Sequence, residues 1–180
     1  MSYSLEQFCT DTRAVLAGDK TSAGREKIRL LLEKLVVDKD FQATYMTDEA
    51  LEGLKQLHED TEQEFCVLAY NMTSPRKSPP HDHGKSWAIY GQVEAYTDVT
   101  DWERNNAGEG DDGVKAARVY RLDPGHAGLY DVGDIHSIDY PSGSKFVRVT
   151  GRDMAKETRL VFDPDNNSVK TVEHVGTGNP

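Results

Sequence analysis

Cysteine is scarce in this chain, with only Cys9 and Cys66 among 180 residues. The two fall in segments of different character, so they form neither a disulfide framework nor a cysteine-rich zinc site, and a reducing, cytoplasmic setting is expected. Long hydrophobic runs are missing too. No stretch approaches the roughly 20 apolar residues of a membrane helix, and no apolar segment follows a basic start, so the chain reads as soluble and free of membrane. Positive charge is in the minority, 21 Lys and Arg against 31 Asp and Glu, for a net charge of −10. That balance excludes the basic footprint demanded by nucleic-acid phosphates or an anionic lipid surface, and no basic recognition helix is present. Internal repeats and low-complexity tracts are also absent.

What is there is enough for one enzyme-sized domain: 180 residues, 37% of them hydrophobic, can bury a real core. Helix periodicity occupies the first third, and segment 1–58 is expected to be helical. Ser4 and Gln7 form a capping-box pattern ahead of Leu5, Phe8, Cys9, Val15 and Leu16, with Gly18 placed to stop the helix. Ile28, Leu31, Leu32, Leu35 and Val36 then recur at three- and four-residue steps opposite a charged face. A third, shorter helix is expected from Thr47 as N-cap through Ala50, Leu51 and Leu54. From Phe65 onward the pattern changes to short strands over 65–72, 87–96, 116–122, 145–150, 158–162 and 168–175. Asp163-Pro164-Asp165-Asn166-Asn167 is a turn joining the last two as a hairpin, and the polar stretch 105–113 reads as a loop. Strands at this spacing without intervening helices favour an all-β sandwich or barrel over 60–175, with the helices packed outside against a face or edge.

Chemistry concentrates in three histidines. His81 and His83, in Pro79-Pro80-His81-Asp82-His83-Gly84, stand at i and i+2 and share one face of a strand; His136, in Gly133-Asp134-Ile135-His136, can complete the set from a facing strand. Three neutral imidazoles bring no charge to cancel that of a divalent ion and leave coordination positions open, one of which a thiolate can fill. Zinc with water is the hydrolytic alternative. A lone histidine is ordinarily structural or solvated, and His58, His126 and His174 are read that way. Asp82 should face away from its neighbours and hydrogen-bond behind them. Gly84, Gly91, Gly125 and Gly133 read as turn or close-packing positions, and Trp87, Ile89 and Tyr90 as alternating strand residues with at most one or two near substrate.

These residues resemble a family. The spacing His81-x-His83, with Gly125-x5-Asp131-x-Gly133-x2-His136 downstream, is similar to the two motifs of the cupin superfamily, with Asp131 where proline is common and Tyr140 where asparagine is common. The resemblance covers about residues 60–163 and implies a double-stranded β-helix, or small jelly-roll barrel, with the site inside. Cupins usually carry a glutamate four or five residues after the second histidine, where this chain has Trp87 and Ala88. Its loss resembles the thiol dioxygenase branch, relatives of cysteine dioxygenase, whose three histidines hold ferrous iron. The resemblance implies Fe(II) on His81, His83 and His136, with Zn, Ni or Mn as alternatives, and oxidation of a small thiol by O2 to its sulfinate.

Three features depart from that branch. No cysteine near Ala88 can supply the cross-link of the animal enzymes, the Ser-x-His-x-Tyr stretch is replaced around 147–153, and Lys55 and His58 occupy the region of the carboxylate-binding arginine. Substitutes for that arginine are Arg76, Arg118, Arg148 and Arg152. Arg148 stands in an apolar strand where alternation places it inside or outside with equal ease. Tyr90, Tyr130 and Tyr140 can offer a phenol to substrate or bound oxygen, and Tyr140 and Arg148 are the catalytic candidates. Two other classes stand beside this reading: another metal-dependent cupin enzyme, such as an isomerase, lyase or ring-cleaving dioxygenase, and a non-catalytic small-molecule binder. The expected partners are a small molecule and O2, and the expected state is a monomer or homodimer.

Overall fold

Ser4 accepts the Gln7 N–H at 3.1 Å and starts α1 (Leu5–Gly18), while the Gln7 side chain turns to Asp11, so only half of the capping box forms. The amphipathic run from Ser22 becomes α2 (Ser22–Val36), which buries Ile28, Leu32, Leu35 and Val36. The third helix lies earlier than the sequence pattern places it. It is α3 (Lys39–Tyr45), capped by Asp38, whose carboxylate accepts the N–H groups of Asp40 and Phe41, and Phe41 is its buried anchor. After Thr47 only one turn forms, closed by Leu51 N–H on the Thr47 carbonyl. Gly53, at φ +69°, ends it, and Leu54 enters β1 (Leu54–Glu59), inside the segment expected to be helical.

The computed structural model describes residues 2–105 and 113–173; most of the expected 105–113 loop, and His174, lie outside the described residues. The other strands are β2 (Cys66–Met72), β3 (Arg76–Lys77), β4 (Ala88–Glu94), β5 (Thr97–Arg104), β6 (Val114–Leu122), β7 (Ala127–Tyr130), β8 (Ile135–Tyr140), β9 (Ser144–Thr150), β10 (Arg159–Asp163) and β11 (Ser168–Val172). They form a five-stranded sheet of order β1-β2-β9-β4-β7, a four-stranded sheet of order β3-β8-β5-β6, and the β10-β11 hairpin, with antiparallel neighbours throughout. The hairpin turns where expected, with Asp163 accepting the N–H groups of Asp165 and Asn166 and with Asn167 at φ +47°.

Strands β2, β4 and β9 are buried along most of their length because the five-stranded sheet is covered on both faces. On the outer face Val67, Ala69, Ile89, Val147 and Val149 pack with Phe8, Ile28, Leu32 and Leu35 of the helices. On the inner face Leu68, Tyr70, Tyr90 and Phe146 meet Val99, Ile138 and Tyr140 of the opposite sheet. Gly91 marks how closely α2 approaches: a Cβ there would lie 2.8 Å from Leu32 Cγ and 2.9 Å from Val36 Cγ1. Gly91→Val should therefore lower the urea midpoint, at a cost of about 1–3 kcal/mol from overpacking. An unchanged midpoint would show that α2 is not seated on β4 as described. Among the described residues no helix is long and apolar enough to cross a membrane.

Candidate metal centre

Between β3 and β4 the chain runs extended, bonded on both sides. His81 and His136 exchange both backbone hydrogen bonds, at 2.9 and 3.0 Å, and on the other edge Phe162 N–H donates to the Pro80 carbonyl at 2.9 Å and Asp82 N–H to that of Leu160 at 3.1 Å. Directly opposed residues of an antiparallel pair present their side chains on one face, and His83, two residues on, joins them. His136 is thus a cross-strand neighbour of His81. The ring centroids lie 4.8 Å apart for His81 and His136, 5.0 Å for His83 and His136, and 5.5 Å for His81 and His83.

One potential ligand atom from each histidine falls within 4.8 Å of the others, and among the described residues no carboxylate or thiol joins the group. Relative exposures of 1, 2 and 0% put all three inside the protein. Burial is the main reason that their pKa values fall: His81 is pushed down to about 4, and His83 and His136 lie well below the usual histidine value. All three are neutral near pH 7, the form with a lone pair to offer. The carbonyl of Pro79 lies 2.9 Å from His81 Nδ1, which fixes the proton there and leaves Nε2 bare. Nε2 of His81, Nδ1 of His83 and both ring nitrogens of His136 are buried with no hydrogen-bond partner. Buried polar atoms are ordinarily satisfied, so orphaned nitrogens converging from three imidazoles fit a divalent ion.

The surroundings hold the set in place. Asp82 turns away and accepts the N–H groups of Leu160 at 2.8 Å and Gly84 at 3.1 Å, tying the histidine strand to β10. Asp131, at the motif position where proline is common, accepts the Ser22 hydroxyl and pairs with Arg25 Nε at 2.5 Å, which fastens the turn before β8 to the start of α2. Tyr90 places its hydroxyl 3.2 Å from His83 Nε2. The Tyr130 ring lies 3.8 Å from that of His136, and its hydroxyl shares a 2.9 Å hydrogen bond with Tyr120. Tyr120 lies 3.4 Å from an Asp101 carboxylate oxygen, which borders a cavity of about 750 Å3. Trp87 and Ile89 instead face the helices.

Of the two catalytic candidates, Arg148 points inward: it is 2% exposed, pairs across the strands with Tyr90 and Leu68, and lies 5.1 Å over the Tyr70 ring. Tyr140 is buried in the inner core, with Arg76 as its cross-strand partner. Arg118 and Arg152 are exposed, as is His126, and His58 packs beside Phe65 at 5.4 Å. Arg159 is absent from the sequence-derived set. Residues 80, 81 and 82 pair with 162, 161 and 160, so the same register sets Arg159 opposite His83, on the face of the histidines. Alternation with Val161 was the available signal; which strand β10 would join was not.

No protein-family model and no curated protein sequence matches this chain. Solved structures do resemble it. They include KdgF from Halomonas sp., 15% identical over 54% of this chain and 74% of that one, with a TM-score of 0.42. The Cnp3 cupin domain of Schizosaccharomyces pombe is 12% identical over 59% of this chain and 68% of its own, with a TM-score of 0.45. A cupin superfamily protein of Desulfitobacterium hafniense is 10% identical over 58% and 86%, with a TM-score of 0.42.

Proposed function

We propose that this chain is a metal-dependent cupin that holds ferrous iron on His81, His83 and His136 and adds both atoms of O2 to the sulfur of a small thiol, yielding the sulfinate. The observation that carries the reading is the convergence of three buried, neutral imidazoles with orphaned nitrogens. No carboxylate joins them among the described residues, so the donor set is uncharged, which supports the resemblance to the thiol dioxygenase branch. When bound, ferrous iron supplies open coordination positions for an anionic ligand and the one-electron chemistry that activates O2.

The chain's own residues provide the rest. The Pro79 carbonyl and the Tyr90 hydroxyl orient His81 and His83. Tyr70, Tyr90, Tyr130 and Phe146 wall the interior, exclude bulk water, and so strengthen every polar contact made there. Arg148, charged at any ordinary pH, offers a planar fork to an acidic group on the substrate. Tyr140, the cross-strand partner of Arg76, is assigned the role of orienting bound substrate. In this reading residues 1–180 form one cytoplasmic cupin domain, with the β-barrel over 60–175.

The test is anaerobic loading with Fe(II), followed by oxygen uptake with cysteine, cysteamine, 3-mercaptopropionate and mercaptosuccinate and by mass spectrometry of the products. One of the thiols should gain two oxygen atoms with equimolar O2 consumed. Silence across the panel from iron-loaded protein would overturn the dioxygenase reading.

A further inference from the structure

The interior beside the histidines is cationic, although the chain carries a net charge of −10. Arg148 reaches it from β9 in the five-stranded sheet, directly across from Tyr90, the residue whose hydroxyl meets His83. Arg159 stands at the register position opposite His83 on β10. Arg76 joins from β3, on the face shared by Tyr140, Ile138 and His136.

Arg148 and Arg159 form no salt bridge among the described residues. Nε of Arg148 and Nε of Arg159 are both buried without a hydrogen-bond partner among the described residues. Around Arg148 stand the Tyr70 ring and Tyr90, whose hydroxyl hydrogen-bonds to the guanidinium. Asp82 faces the opposite side of its strand and is occupied by two backbone N–H groups. A guanidinium with no carboxylate in salt-bridge range is costly to bury, and Arg148, buried, with Arg159, partly buried, favours an anion between them. The two stand on different elements, β9 and β10, so a single carboxylate on one leaves the other unanswered. A cavity of about 310 Å3 is bordered by Leu54, Tyr70, Met72, Pro75 and Arg76, and the Tyr70 ring also lies under Arg148.

The geometry points to a small dicarboxylate as the ligand of this interior, one carboxylate on Arg148 and the other on Arg159, held beside His83. It rests on the reading of the three histidines as metal ligands and names the class of acid presented to them.

Calorimetric titration of anaerobic, ferrous-loaded protein with succinate, propionate and inorganic phosphate tests this without turnover, with metal content measured on the same samples. Succinate should bind about tenfold or more tighter than either competitor, the difference one charge-assisted pair contributes. Arg148→Met and Arg159→Met should each reduce succinate to the affinity of propionate while metal content stays unchanged. If Arg148→Met does not fold, Arg159→Met, at the half-exposed start of β10, decides alone. Equal binding of succinate and propionate, phosphate binding tighter than succinate, or succinate affinity unmoved by loss of Arg159 would each overturn the inference. Protein that takes up no metal yet still prefers succinate would keep the dicarboxylate site and overturn the iron reading. Metal-loaded protein that does not discriminate would do the reverse.

Discussion

His136→Ala should strip the protein of its metal, lowering affinity on the order of 100-fold or more, because two imidazoles remain where three converged. Metal analysis after dialysis against a defined Fe(II) buffer measures this directly, and His81→Ala and His83→Ala should behave alike. The same substitution separates a ligand from a structural histidine. Neither ring nitrogen of His136 has a hydrogen-bond partner, and the backbone bonds that pair residue 136 with 81 do not depend on the side chain. Removing the ring leaves no protein group unsatisfied, so the metal-free variant should unfold close to the metal-free parent, apart from the cost of the small cavity created. A large loss of metal-free stability, with metal retained, would mean that His136 serves packing.

The metal-free protein should also lose stability steeply as pH falls from about 6.5. Burial depresses all three folded-state pKa values, His81 to about 4 and the others well below their usual value. The unfolded chain takes up the same protons near 6.5. Below that value the unfolded state therefore binds more protons than the folded one, and stability, complete above it, declines through the window down to the folded-state values. Each unmatched proton contributes about 1.4 kcal/mol per pH unit, so the slope can reach about 4 kcal/mol per unit while all three imidazoles resist protonation. Urea midpoints at pH 7.5, 6.5 and 5.5 read it, and His136→Ala should flatten the decline by about one proton's share. The depressed carboxylates, Asp38, Asp48 and Asp98 among them, have folded-state values below 3.8 and titrate under this window. A midpoint flat from 7.5 to 5.5 would contradict the burial of neutral imidazoles.

Much of this was legible in the sequence, for physical reasons. His81 and His83 share a face because strand side chains alternate, a property of two residues and their spacing. The apolar runs of β2, β4 and β9 were readable because both of their faces are covered. Strands β1 and β5 were missed because much of their surface stays open: Leu54–Glu59 and Thr97–Arg104 carry polar side chains outward, which hides the alternation. The third helix was misplaced because Thr47, Leu51 and Leu54 mimic a capped helix. The competing signals, Asp38 as cap and Phe41 as anchor, lay upstream, and Gly53 cut the later pattern short.

At the site the division is similar. That His136 belongs with the pair followed from motif spacing, whereas its direct pairing with His81 depended on which strands become neighbours. The direction of Arg148 could not be read from Phe146-Val147-Arg148-Val149, where both neighbouring positions are apolar. It is fixed by register against Tyr90, whose hydroxyl meets His83. Arg159 required the pairing of 80–82 with 160–162, a long-range match that no local pattern encodes.

The central claim is that His81, His83 and His136 hold the ion. X-ray absorption at the iron edge of anaerobically loaded protein tests it most directly: about one iron per chain, with scattering from three imidazole rings and no protein sulfur, and loss of that signal in each of the three alanine variants. Iron retained with unchanged scattering in all three would contradict it.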